Sequence, residues 1–343
     1  MSRTSWLIGA GLTVLTTMSV GALAAPAQAA AAGVATVTGN TVQYKAPKKT
    51  QNTVVLTRSG RTITVDDRVP IKAGKGCAAV KGDKTKVRCT TKKNPTWIQV
   101  YTYDRNDSVV DNAGVGMAAD GGDGNNTLVG SPYSDQLDGG EGIDKIWGNG
   151  GDDYIDGRGG NDYLSGGDGD DTINGDNGDD TLHGGAGHDQ LTGETGNDLV
   201  YGDDGPDMLW DHHDPSARDA DYFSGGKGED TVLYLDRSKP VFADPDGVKG
   251  DDGSAGEHDT IATDVEDFYG GEGADWLSGS PGRNVIYGGG GNDILYGFGG
   301  NDFLEGGYVG GLVRQKDKVN GGPGEDSCGT GKGGTLTACE KSA

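Results

Sequence analysis

From Gly121 to Trp210 one large aliphatic residue returns every nine positions in a chain otherwise rich in glycine and acid: Leu128, Leu137, Ile146, Ile155, Leu164, Ile173, Leu182, Leu191, Val200 and Leu209. Ten units follow without a gap. Each opens on glycine, carries an acidic or amide residue sixth and the aliphatic eighth, as in Gly166-Gly167-Asp168-Gly169-Asp170-Asp171-Thr172-Ile173-Asn174. Glycines at positions one, two and four let the backbone take positive φ in a tight turn, and the Asn or Asp often found fifth tolerates that region best among the other residues. Positions seven to nine can then extend as a short strand with the eighth side chain inward. Two units make one coil of about 18 residues, so alternate units stack at about 4.8 Å.

The rest of the chain reads differently. Residues 30–118 lack the nine-residue unit and carry short alternating runs at Thr41-Val42-Gln43-Tyr44, Thr53-Val54-Val55-Leu56-Thr57, Arg61-Thr62-Ile63-Thr64-Val65, Lys86-Val87-Arg88-Cys89 and Trp97-Ile98-Gln99-Val100-Tyr101. These predict a small antiparallel β domain that caps the open apolar end of the coil. After the first block, 119–210, comes an interrupted region, 211–269, with one further unit (Gly225 to Leu233) and a longer insertion over 234–269. A second block covers 270–329, with four units and a partial one at Gly321 to Gly329, and residues 330–343 form the C-terminal end.

Stacking would line up the sixth-position residues in two files, Asp135, Asp153, Asp171, Asp189 and Asp207 on one edge and Asn126, Asp144, Asp162, Asp180 and Asp198 on the other. Two unit charges about 4.8 Å apart repel by roughly 3 to 4 kcal/mol at an effective dielectric of 20, so ionised files need counterions. Ca²⁺ suits them, because it accepts six to eight oxygens in flexible geometry, glycine-turn carbonyls included, whereas Mg²⁺ demands a strict octahedron. The pattern G-G-x-G-x-D-x-U-x, with U aliphatic, resembles the repeats-in-toxin (RTX) family of calcium-binding rolls, and the insertion resembles the connecting module of secreted actinobacterial members. The resemblance implies an all-β fold, a right-handed parallel β-roll (β-helix) of glycine-rich nonapeptides preceded by the small antiparallel domain. It also implies ions shared between turns one coil apart. The expected metal ligands are Asp135, Asp144, Asp153, Asp162, Asp171, Asp180, Asp189, Asp198, Asp207, Asp230, Asp275, Asp293, Asp302 and Asp326, with backbone carbonyls near Gly160, Gly167, Gly169, Gly178, Gly185 and Gly187. About eight Ca²⁺ ions are expected in the first block. Asn126 and Asn284, neutral at the sixth position, predict weak sites or none, as do the broken turns at Gly130-Ser131-Pro132-Tyr133 and Gly279-Ser280-Pro281-Gly282. One buried aliphatic per nine residues is too little apolar surface to order the chain alone, so the roll is expected to fold on binding calcium.

Charge divides the chain at the same place. Residues 30–118 hold 15 Lys and Arg against 6 Asp and Glu, while residues 119–343 hold 13 against 47. The basic face, Lys45, Lys48, Lys49, Arg58, Arg61, Lys92 and Lys93, is a candidate contact for an anionic cell-wall polymer; no nucleic-acid partner is expected. Arg3, the apolar run from Trp6 to Val20 and Ala27-Gln28-Ala29 read as a secretory signal peptide over 1–29, cleaved near Ala29. No later segment is apolar enough to span a bilayer. In a secreted chain Cys77 with Cys89 and Cys328 with Cys339 suggest two local disulfides, out of three possible connectivities.

Catalytic signatures are missing: no H-E-x-x-H, no G-x-S-x-G and no Lys-Ser/Thr after the glycine runs. Residues 30–118 are few for a catalytic domain and contain no histidine. The only histidine cluster, His212-His213-Asp214, would need His183 or His188 from neighbouring coils to hold a transition metal. The expected protein is a secreted, monomeric, non-catalytic calcium binder of structural, adhesive or calcium-sequestering role. The alternative is a secreted hydrolase or polysaccharide-modifying enzyme that uses the roll as a folding module.

Overall fold

The computed structural model describes residues 31–212, 219–307, 315–330 and 333–342; the expected leader, residues 1–29, lies outside them, as do His213 and Asp214. Among the described residues the regular elements are all strands, and no helix is long and apolar enough to cross a membrane. In the repeats the strand covers positions seven to nine, as at Thr172–Asn174 and Gln190–Thr192, and in several units it runs on into the next turn, as at Tyr163–Asp168. Alternate units pair in parallel with their eighth residues in register. Leu137, Ile155, Ile173 and Leu191 follow one another along one sheet, and Ile146, Leu164, Leu182 and Val200 along the sheet that faces it. These side chains are at most 1% exposed, so the two inward columns form a dry core one residue thick from each side.

The parallel ladder begins ahead of the first glycine-rich unit. Thr41–Lys45 pairs in parallel with Trp97–Tyr101, which pairs with Met117–Asp120 and so with Gln136–Glu141. Thr53–Ser59, Ser108–Asn112 and Thr127–Val129 do the same on the opposite sheet. Tyr44, Val100, Ala119 and Leu137 form one continuous inward column, and Val54, Val109, Leu128 and Ile146 the other. The expected cap therefore shares both sheets with the roll. Its antiparallel part is confined to Gly33–Thr38 against Thr41–Lys45 and to a meander of Thr53–Ser59, Thr62–Asp66, Asp83–Thr90 and Cys77–Val80. The Cys77–Cys89 disulfide joins directly opposed residues of that meander.

Towards the C-terminus the long sheet runs straight through the insertion: Met208–Trp210, Thr231–Leu233, Asp267–Tyr269, Val285–Tyr287, Phe303–Glu305, Ser327–Gly329 and Lys341–Ser342. The opposite sheet ends with Tyr222–Lys227 and Thr260–Ile261. A third sheet replaces it, with Val241–Ala243, Trp276–Ser278, Ile294–Tyr296, Lys318–Asn320 and Thr335–Thr337 as parallel rungs. Residues 234–269 thus supply rungs to every sheet, and the two blocks form one continuous roll. At the changeover the buried Arg237 guanidinium donates to Asp211 and, at 2.6 Å, to Glu257. Cys328 continues the inward column of the long sheet after Leu304 and is bonded to Cys339.

The fourth-position glycines are where the turn is least negotiable. Gly178 has φ +136°, and a Cβ there would meet the carbonyl oxygen of Gly160 one coil earlier. Gly178→Ala is expected to destabilise the calcium-loaded protein by about 2 kcal/mol or more, through strain and contact together. Gly82→Ala, with φ +85° and nothing within 4 Å, carries the strain alone. Thermal melting in saturating calcium should rank Gly178→Ala as the more damaging; equal melting points would refute the contact argument.

Candidate metal centre

The sixth residue of each unit ends the turn and starts the strand, which places its side chain on the coil edge below its predecessor. Its Oδ1 accepts the backbone N–H of the sixth residue one coil earlier. On one edge Asp135 N–H donates to Asp153 (2.7 Å), Asp153 to Asp171 (2.7 Å), Asp171 to Asp189 (2.8 Å) and Asp189 to Asp207 (2.9 Å). On the other Asn126 donates to Asp144 (2.6 Å), Asp144 to Asp162 (2.7 Å), Asp162 to Asp180 (2.7 Å) and Asp180 to Asp198 (2.8 Å). The files are not carboxylate directly on carboxylate. A peptide N–H lies between each pair and removes part of the repulsion.

That leaves the second oxygen. Oδ2 of Asp144, Asp153, Asp162, Asp171, Asp180, Asp189, Asp198, Asp207, Asp230, Asp293, Asp302 and Asp326 is buried with no hydrogen-bond donor. Asn126 reveals the surroundings of this atom, because its Nδ2 donates to the carbonyls of Gly122 (3.1 Å), Gly124 (3.0 Å) and Gly139 (3.1 Å). Those are the second- and fourth-position carbonyls of its own unit and the first-position carbonyl of the next coil. Where aspartate replaces asparagine, an anionic oxygen faces the same acceptors. For Asp171 the corresponding carbonyls belong to Gly167, Gly169 and Gly184; for Asp189, to Gly185, Gly187 and Gly202; for Asp162 and Asp180 the fourth-position ones belong to Gly160 and Gly178.

Four oxygens with no hydrogen between them form a cradle for a hard cation. Burial pushes the carboxyl groups up, to about 6 for Asp144, Asp171, Asp180 and Asp302, about 7 for Asp162, Asp189, Asp198, Asp207 and Asp230, and about 8 for Asp153 and Asp293. Among the described residues no three His, Cys, Asp or Glu side chains gather at one point. The cradles have one carboxylate each and are otherwise main chain, which suits Ca²⁺ and disfavours zinc or copper.

Two expected ligands differ from the rest. Asp135 Oδ2 accepts the Ser131 N–H (2.5 Å) and Asp275 Oδ2 the Gly271 N–H (3.0 Å), so a donor already occupies the place of a cation. Asn284 Nδ2 likewise donates to the Glu266 carbonyl (2.9 Å) and to Ser280 Oγ (3.1 Å). The files also extend further than the nonapeptide count indicates. Asp107, Asp221, Asp259, Glu266, Asp317 and Glu340 accept from the same backbone position in their coils. Their turns have lost the glycine pattern, but the acid still precedes its inward residue by two, as in Asp107-Ser108-Val109, Asp221-Tyr222-Phe223, Glu266-Asp267-Phe268 and Asp317-Lys318-Val319. That three-residue signature could have found them.

Among the described residues no histidine cluster holds a metal site: His183 Nδ1 lies 3.0 Å from Asp203 and its ring stacks on Tyr201, while His212 Nδ1 lies 3.2 Å from Asp236. The basic residues make contacts of their own. Lys45 and Lys48 lie over the Tyr101 and Tyr103 rings, whereas Arg61 donates to the Lys92 carbonyl and Arg58 lies beside Trp97, at the other end of the same strand.

Comparison with known families matches residues 120–155, 129–164, 138–173, 156–191, 174–209 and 269–307 to the RTX calcium-binding nonapeptide repeat. No curated protein matches the chain.

Proposed function

We propose that this chain, which carries RTX calcium-binding repeats over both blocks, is a secreted, non-catalytic protein whose roll is assembled by calcium for a structural or adhesive task. The observation that carries the reading is the Asn126 amide: it donates to three turn carbonyls from the place where twelve aspartates have a buried Oδ2 with no hydrogen-bond partner. One Ca²⁺ per unpartnered sixth-position Oδ2 of a nonapeptide unit makes eight ions in residues 119–210 and four beyond. Each ion would be held by the Oδ2, two turn carbonyls and one carbonyl of the next coil, with water or neighbouring oxygens completing its shell. The two disulfides and the millimolar calcium outside cells support secretion. Affinities of about 10⁻⁴ to 10⁻³ M are expected. The carboxylates in the files are committed to N–H groups and cradles, which supports a scaffold rather than an acid/base role.

The substitution Asp171→Asn tests this directly. Its amide should copy Asn126, donating to Gly167, Gly169 and Gly184, so the variant should fold and bind one ion fewer. Asp171→Ala should lose the ion and also strand the Asp153 N–H, lowering stability by about 1 to 3 kcal/mol. Equilibrium dialysis and calorimetric titration would read both. An unchanged ion count in Asp171→Asn would sink the assignment.

A further inference from the structure

The third sheet carries on its outer face a row of aromatic rings that the calcium sites do not use. Phe242, Trp276, Tyr296 and Phe298 follow one another with centroids 6.3, 5.8 and 6.4 Å apart and planes tilted by 32°, 38° and 36°. Aromatic rows occur elsewhere on the roll: Trp147, Tyr163, His183, Tyr201 and Tyr222 line the opposite sheet, and Tyr269, Tyr287 and Phe303 the long one. Those rings are all half-buried, as a row that only stabilises its sheet should be. In the third sheet Phe242, Trp276 and Phe298 are 48%, 44% and 55% exposed.

The rings border open space. Two adjoining clefts of about 470 and 320 Å³ share Asp244, Ser278 and Phe298, and Asp251 flanks the larger one. Phe298 also sits where the repeat calls for glycine or a small polar residue, at the second turn position with φ +63°. An aromatic side chain in the left-handed region is strained, and about half of this ring's surface stays outside the core.

We propose that this cleft binds a neutral polysaccharide built of pyranose rings. A pyranose presents an apolar C–H face that lies flat on an aromatic ring, and an edge of hydroxyls that donate to carboxylates and serine oxygens. The row supplies the first along three ring spacings, and Asp244, Asp251 and Ser278 supply the second. Among the described residues no lysine or arginine lines either cleft, so an anionic glycan meets carboxylates without a compensating charge. Phe298 occupies the second turn position of the Asp302 unit, but the proposed sugar contacts are made by side chains and not by the turn carbonyls.

The test uses the whole protein in saturating calcium, with cellohexaose, N-acetylchitohexaose and oligogalacturonate as separate titrants, read by calorimetry and by Trp fluorescence. Binding of at least one neutral hexasaccharide, with oligogalacturonate weaker by tenfold or more, is expected. Trp276→Ala should lose tenfold or more in affinity. Phe242→Ala, in the strand Val241–Ala243 and outside every nonapeptide turn, should do the same while leaving calcium uptake unchanged. Failure of both neutral titrants to bind at millimolar concentration, preference for oligogalacturonate, or wild-type affinity in both variants would overturn the proposal. Calcium uptake, measured on the same samples, reports separately on the function proposed for the repeats.

Discussion

Chelation of calcium at about pH 8 is expected to remove most of the strand signal of residues 119–342 while sparing the meander closed by Cys77–Cys89. Every coil of the first block buries two sixth-position side chains, and eight of the aspartates among them hold an Oδ2 without a donor among carbonyl oxygens. An ionised carboxylate in that place has lost its water and gained only one N–H. Binding of one ion at tenfold its dissociation constant stabilises the folded state by about 1.4 kcal/mol, so twelve proposed ions would supply on the order of 15 kcal/mol. That equals or exceeds the whole stability of a typical domain. Removing it should leave the roll unfolded. The N-terminal meander has a denser apolar core, with Val54, Leu56, Ile63, Val65 and Val87 all buried, and none of its carboxylates is a sixth-position aspartate. Circular dichroism in chelator and in millimolar calcium would show the difference as a steep, cooperative transition. A spectrum indifferent to calcium would contradict the proposed energetics.

Acidification should partly replace the metal. In the calcium-free fold burial raises the sixth-position carboxyls from an ordinary 3.8 to about 6 to 8. A carboxyl whose pKa is higher folded than unfolded favours the folded state while it is protonated. Its contribution is fully present below 3.8 and is lost as the pH rises from there through 6 to 8. A shift of two units corresponds to about 3 kcal/mol for each such group, so the summed effect is large. The chelated protein should therefore regain strand signal as the pH falls from about 8 to about 5. With calcium present the same change should weaken binding, since protons and the metal compete for Oδ2. Chelated protein that remains soluble and unfolded at pH 5 would count against burial as the cause of the shift.

Much of this was legible in the linear chain, for a physical reason. A nine-residue period is a local property: glycines set the turn, the eighth residue sets the inward column, and adding units repeats the same contacts. Leu128 to Leu209 could be placed in the core, and Asp144 to Asp207 on the coil edges, without knowing any long-range contact. The local disulfides were expected from close spacing in a chain read as secreted, and both are present. Asp221, Asp259, Glu266 and Asp317 escaped because their turns carry no glycine code, although each occupies the same rung as a regular repeat.

The period by itself determined the coil, its dry interior and the oxygen-rich edges. Tertiary structure decided what depends on pairing between distant segments: that Thr41–Lys45 and Thr53–Ser59 open the same two sheets, and that the insertion carries the long sheet across to a new partner. It also decided which oxygen of each aspartate is spent on a backbone N–H and which is left for a cation. Composition shows that an aspartate is present, but only the stacking of one coil on the next shows that its Oδ1 meets a donor and its Oδ2 meets none.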